Sequence, residues 1–144
     1  MPIFKIYNQG IGSDITAGML NRVHFVIRAT PSVCFIEGGI NDLEKKLSIE
    51  GVVHNVSMLC IELKSHSIQP VVTLIFHVAS SYPNSKQLNI RIDKTNVLLK
   101  RFCLSSNTRY IEIQFSSSDY QPDNIHLKPS GYIKWANRIN HLVL

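Results

Sequence analysis

Apolar residues recur along this chain at helical spacing in some stretches and as short continuous runs in others. Phe4 to Tyr7 alternates weakly, predicting a first strand, and stops at the turn-forming Asn8-Gln9-Gly10. Ser13-Asp14 offers an N-cap, after which Ile15, Met19, Leu20, Val23, Val26 and Ile27 repeat at helical spacing. Thr30-Pro31 ends that helix, because proline disfavours helical geometry in the residue before it. The run Val33-Cys34-Phe35-Ile36 predicts a buried strand that stops at Gly38-Gly39. A helix over about 48–64 gathers Val52, Val56, Leu59, Cys60 and Leu63 on one face. Pro70 opens a strand over 71–76, rich in β-branched residues. The stretch 77–84 is polar and turn-rich and reads as a surface loop. Helical spacing returns over about 86–102, with Leu88, Ile92, Leu99 and Phe102 inward. A strand over 110–115 and a loop over 116–127 follow. A last helix takes Pro129 in its first turn, and Tyr132, Trp135, Ala136, Ile139 and Leu142 form its expected buried stripe.

Strands separated by helix-length segments mean βαβ units and a parallel sheet covered on both faces. The predicted architecture is α/β, a three-layer α/β/α flavodoxin-like sheet of about four strands and four helices. It forms one domain over residues 1–144, with no internal repeat, linker or low-complexity segment. Ligands of such sheets bind beyond the carboxyl ends of the strands. The loops at Asn8–Asp14, 38–43 and 116–127 all fall on that edge.

Composition narrows the function classes. Hydrophobic residues make up 44% and charged residues 17% of the chain, the balance of a compact globular protein. No apolar run approaches the ~20 residues that span a bilayer. The formal net charge is +5, but the basic residues are scattered and the densest pairs, Lys45-Lys46 and Lys100-Arg101, are short. Without a basic stripe flanked by aromatics, no nucleic-acid partner is expected. Cys34, Cys60 and Cys103 lie in apolar segments without C-x-x-C spacing and read as buried free thiols. His24, His54, His66, His77 and His141 show no ligand spacing, and no phosphate-cradling loop is present, so neither metal nor organic cofactor is expected. The first residues do not read as a signal peptide, which leaves the cytoplasm as the default expectation.

Three loop motifs carry the candidate chemistry: Asn8-Gln9-Gly10, then Gly39-Ile40-Asn41-Asp42-Leu43, then Asp123-Asn124-Ile125-His126-Leu127 followed by Gly131-Tyr132. In this order, each at a strand end, they resemble the SGNH (GDSL-type) hydrolases, most of all their acetylhydrolase-like and lysophospholipase-like esterases. The resemblance covers essentially the whole chain. It implies a Ser-His-Asp ester hydrolase in which His126 is the base and Asp123 its orienting carboxylate. It also implies oxyanion donors at the Gly10 N–H and the Asn41 side chain, and a small-molecule acyl or acetyl ester as substrate. Serine attack on an ester needs both a base and preorganised donors, which is why these residue types belong together. Each residue also has a plainer reading when taken alone. Gly10 would serve a positive φ in a tight turn, Asn41-Asp42 a helix start, and Asp123 and His126 an exposed loop.

One element of the resemblance is missing. The family's nucleophile lies in a Gly-Asp-Ser motif on a strand upstream of the first loop, whereas here that loop begins eight residues from Met1. The domain is therefore expected to be truncated at its N-terminus, without nucleophile or central strand, and inactive alone. Ser13, within Gly12-Ser13-Asp14, is read as a helix cap rather than a substitute nucleophile. Loss of the central strand would leave a sheet edge open to self-association. The alternative function is a non-catalytic relative whose pocket binds an acyl or carbohydrate ligand.

Overall fold

The computed structural model describes residues 5–143. Three parallel strands form one sheet in the order β1 (Val33–Ile36), β2 (Gln69–Thr73), β3 (Arg109–Ile111). In register, Phe35 lies opposite Val71 and Ile36 opposite Val72; Val71 lies opposite Arg109 and Thr73 opposite Ile111. Six helices accompany them: α1 (Thr16–Asn21), α2 (Val23–Ala29), α3 (Ile40–Glu44), α4 (Ile49–Ser65), α5 (Ser85–Ser105) and α6 (Pro129–Val143). The main core lies where α4 and α5 meet the sheet. It contains Val52, Val56, Leu59, Cys60 and Leu63 of α4, Leu88, Ile92 and Leu99 of α5, and Ile36, Val72 and Leu74. Each such buried side chain contributes about 1.5–3 kcal/mol. The inward faces expected for these two helices are the ones observed. Cys60 and Cys103 are buried free thiols and Cys34 is half-buried; burial pushes the Cys60 thiol up to about 12.

The α/β parallel architecture stands, with local differences that have physical causes. Of the strand expected over residues 4–7, Phe4 lies outside the described residues, and Lys5, Ile6 and Tyr7 form no strand. The first helix is broken at Arg22 (φ −107°, ψ 10°). There the guanidinium reaches back to the Asp14 carboxylate at 2.9 Å and to the Gln9 carbonyl. Helix α2 ends as expected before proline, with Thr30 in a left-handed conformation. Ser13 does not cap α1. It sits at φ 61° in the preceding turn, and the residue at the cap position, Ile15, has no side chain to offer.

The α1 start is served instead from across the molecule. Asp42, 2% exposed, accepts hydrogen bonds from the Thr16 N–H (3.0 Å) and the Thr16 hydroxyl (2.7 Å). Asn55 of α4 in turn donates to the Thr16 hydroxyl. Gly38 and Gly39 make the tight passage from β1 into α3. Gly39 has φ 115°, and a Cβ there would meet Ile75 Cδ1 at 2.7 Å; one at Gly38 would meet Met19 Sδ at 2.6 Å.

Strands β2 and β3 are shorter than expected because side chains replace the ladder beyond Thr73. The Asn96 amide brackets Ile75, accepting from its N–H at 2.9 Å and donating to its carbonyl at 2.9 Å. Asn89 does the same for Val78. Both lie on one stripe of α5, so the segment 75–78 continues β2 without a strand beside it. The largest correction concerns α6. Trp135, Ile139 and Leu142 are half-buried, but Tyr132 (49% exposed) and Ala136 face solvent. This helix packs on a small second cluster, Ala79, Tyr120 and Leu127 with Phe76 and Phe115, rather than on the main core. The Trp135 ring stands edge-on to Phe76, with centroids 5.6 Å apart.

Two measurements test these placements. Asp42→Ala strands two buried donors and should lower unfolding free energy by about 2–5 kcal/mol in urea titration. A loss under about 1 kcal/mol would show that water replaces the carboxylate. Asn96→Ala should cost about 1–3 kcal/mol by the same assay and increase amide exchange at Ile75.

Candidate active site

Because the three strands are parallel, the segments following β1 and β3 leave the same edge of the sheet. The first holds Asn41 on α3 and the second holds Asp123 and His126. Loop 8–14 is brought to this edge by Asn41 itself, whose amide donates to the Asp14 carbonyl at 2.8 Å. Asn41 and Asp42 are neighbours on one short helix, so the buried Asp42 contact orients both.

Gly10 lies on the exposed loop, and its N–H donates to the Asn8 side chain at 2.8 Å. The tight-turn reading of Gly10 does not hold, since Gly39 is the one glycine with positive φ among the described residues. The N–H would have to exchange Asn8 for an oxyanion, and both are acceptors.

His126 and Asp123 form a compact pair. Asp123 Oδ2 lies 2.6 Å from His126 Nδ1, while Oδ1 accepts from the backbone N–H groups of His126 (3.0 Å) and Ile125 (3.1 Å). These bonds, the His126 backbone N–H foremost, hold the Asp123 carboxyl down at about 2. With Nδ1 turned to the carboxylate, Nε2 is left facing outward on a ring that is 68% exposed. Asn124 takes positive φ to close this turn, and its carbonyl accepts from the Ala79 N–H.

Just upstream, Asp119 holds the turn to α6. Its carboxylate accepts from the Ser116 N–H, from the Ser116 and Ser130 hydroxyls and from Lys134 Nζ (2.6 Å). The Lys134 contact leads in keeping its carboxyl far below the ordinary range. An antiparallel bridge between Tyr120 and Leu127 closes the 116–127 loop on itself.

Ser13 makes no hydrogen bond to His126, and no other serine hydroxyl does so among the described residues. Among those residues, too, no group of histidines, cysteines and acids has the arrangement of a metal site. No helix among them is long and apolar enough to cross a membrane. Sequence reasoning passed over His77, whose Nε2 lies 2.6 Å from Asp93. There the nitrogen facing the carboxylate is Nε2, and the pair sits between α5 and segment 75–78, where the His77 carbonyl accepts from the Tyr120 hydroxyl. It also passed over Tyr82 and Glu44, which hydrogen bond across the site edge. The residue types alone gave no signal for that contact.

No curated protein matches the chain in sequence. Solved structures do match in fold. A GDSL-like lipase from Bacteroides thetaiotaomicron superposes with a TM-score of 0.77 at 17% identity, over 94% of this chain and 73% of its own. A catalytic variant of an acetylxylan esterase from Geobacillus stearothermophilus gives 0.79 at 16% identity, over 92% and 68%. The lipase/acylhydrolase from Enterococcus faecalis gives 0.77 at 19% identity, over 91% and 71%. Likeness at these identities speaks for the fold. The family follows from the match of residues 2–133 to the GDSL-like lipase/acylhydrolase model, and the chain belongs to that family of ester hydrolases.

Proposed function

We propose that this chain carries the base and the oxyanion-binding residues of a serine ester hydrolase acting on a small acyl or acetyl ester. The observation that carries the reading is the Asp123–His126 pair, in which Nδ1 is held at 2.6 Å and Nε2 is left open. An imidazole so held keeps its proton on Nδ1 and its lone pair on Nε2, the state a general base needs. In the reaction, a serine hydroxyl would attack the ester carbonyl carbon while His126 Nε2 takes its proton. The carbonyl oxygen becomes an oxyanion, stabilised by the Gly10 N–H and the Asn41 amide. The same Nε2 proton then passes to the departing alcohol, leaving an acyl-serine that water hydrolyses by the reverse sequence.

The nucleophile in this proposal lies outside residues 5–143, in another segment or another chain. Residues 1–144 act as one domain that is inactive on its own. No cofactor is needed, because the base, the orienting acid and the oxyanion donors are all side-chain or backbone groups. The outer edge of β1, unpaired among the described residues, is the place for self-association.

Intact-mass analysis after treatment with a fluorophosphonate probe should leave the folded chain unlabelled. Labelling abolished by Ser13→Ala and His126→Ala would instead make Ser13 the nucleophile. A fusion that supplies a Gly-Asp-Ser strand from a family member should hydrolyse p-nitrophenyl acetate. In that fusion Asn41→Ala should lower kcat by about 10²–10³. A folded fusion with no turnover would overturn the hydrolase reading in favour of acyl or carbohydrate binding.

The low Asp123 value sets the pH behaviour. A carboxyl lowered on folding lends stability that is complete above its ordinary range and is lost as pH falls through its folded value. The orientation of His126 by Asp123 should therefore survive acidification until about pH 2. An NMR titration of the Asp123 carboxyl carbon with a midpoint near 4 would contradict it. Sizing chromatography with light scattering should show oligomers; a sharp monomer peak would count against association through β1.

A further inference from the structure

The base turn and the oxyanion helix belong to different loops, so something must set their spacing. We infer that Tyr82 is the positioning residue that fixes α3, and with it Asn41, relative to the Asp123–His126 turn. This rests on the reading of Asn41 and His126 as groups acting on one ester.

A continuous hydrogen-bonded path supports the assignment. The Asn124 carbonyl, inside the base turn, accepts from the Ala79 N–H at 2.9 Å, and the Ala79 carbonyl accepts from the Tyr82 N–H at 2.9 Å. The Tyr82 hydroxyl donates to the Glu44 carboxylate at the end of α3. Glu44 lies one helical turn after Asn41, whose amide closes the path at the Asp14 carbonyl of loop 8–14. Tyr82 is thus where the path crosses from one loop to the other.

The anchoring around Tyr82 is firm on both sides. Its carbonyl accepts from the Ser85 N–H at the start of α5, and its half-buried ring packs against the main core together with Ile40 and Ile125. Ile40 is the residue before Asn41, and Ile125 the residue before His126. Arg91 of α5 adds a second tie to α3, donating to the Leu43 carbonyl at 2.8 Å. Asp123 is near enough for its charge to act on the Tyr82 phenol, although the bond to Glu44 is the main cause of its shift to about 12. The phenol therefore stays protonated through the neutral range and remains a donor.

The test uses the full chain and two variants that remove opposite ends of one bond, Tyr82→Phe and Glu44→Ala. Hydrogen exchange of the 40–47 segment should be about tenfold faster in each, the effect of losing one hydrogen bond to a charged group. The double variant should exchange no faster than either single one. In parallel, the His126 ring resonances, among the six histidines, should shift in both variants but not in Lys100→Ala, which breaks the remote Lys100–Glu112 pair. Unchanged exchange at 40–47 would overturn the strap. Faster exchange with unmoved His126 resonances would reduce Tyr82 to a structural residue and overturn the positioning role. Neither readout needs turnover, so an inactive Gly-Asp-Ser fusion would overturn the hydrolase reading alone.

Discussion

The structure depends on the buried carboxyl group of Asp42, which forms no ion pair among the described residues. Both Asp42 carboxyl oxygens accept from Thr16, one from its N–H and one from its hydroxyl, at the start of α1. The contact joins residues 26 apart, and Asn55 draws α4 into the same knot. A polar group buried in this way tolerates little displacement, since moving it away from its donors exposes the full desolvation cost. The consequence reaches the site, because the residue before Asp42 is Asn41. The aspartate anchors the helix; the asparagine, one position away, is held over loop 8–14.

The two halves of the site are built on different principles. The Asn41 half is assembled from distant parts of the chain, through the Asp42 knot, the Gly38-Gly39 passage and the ties of α3 to Tyr82 and Arg91. The Asp123–His126 half is local. Asp123 and His126 lie three residues apart in one turn, the turn is closed by the Tyr120–Leu127 bridge, and Asp119 ties it to the first turn of α6. Segment 75–79, held to α5 by Asn89 and Asn96, is the shared wall from which both halves are reached.

Legibility in the sequence follows that division. The faces of α4 and α5 could be read because their burial is set by periodicity, and the Asp-x-x-His turn because its chemistry is local. The cap of α1 could not be read, as its acceptor comes from residue 42 while Ser13-Asp14 offered a plausible local one. Asp14 instead pairs with Arg22, the residue at which the helix is broken. The strand ends were overestimated because Asn89 and Asn96 satisfy backbone groups that a ladder would otherwise have used. Tyr132 and Ala136 follow the same helical stripe as Trp135, yet periodicity says nothing about how wide a surface is available to cover it. Gly39 was legible as a turn, but its φ of 115° under Ile75 was not.

Two hydrophobic clusters of unequal size carry a further consequence. Helix α3 leans on the large one and the 123–126 turn reaches it through Ile125, whereas α6 leans on three buried residues, two aromatic rings and the ion pair of Asp119 with Lys134. Cooperative units of such different depth open at different free energies. Heat or salt would then loosen α6 and the loop before it while the sheet and its two long helices remain folded. Order in the 116–143 region and foldedness of the sheet become separable quantities in such a molecule, and a melting temperature read from helical signal would describe only the second.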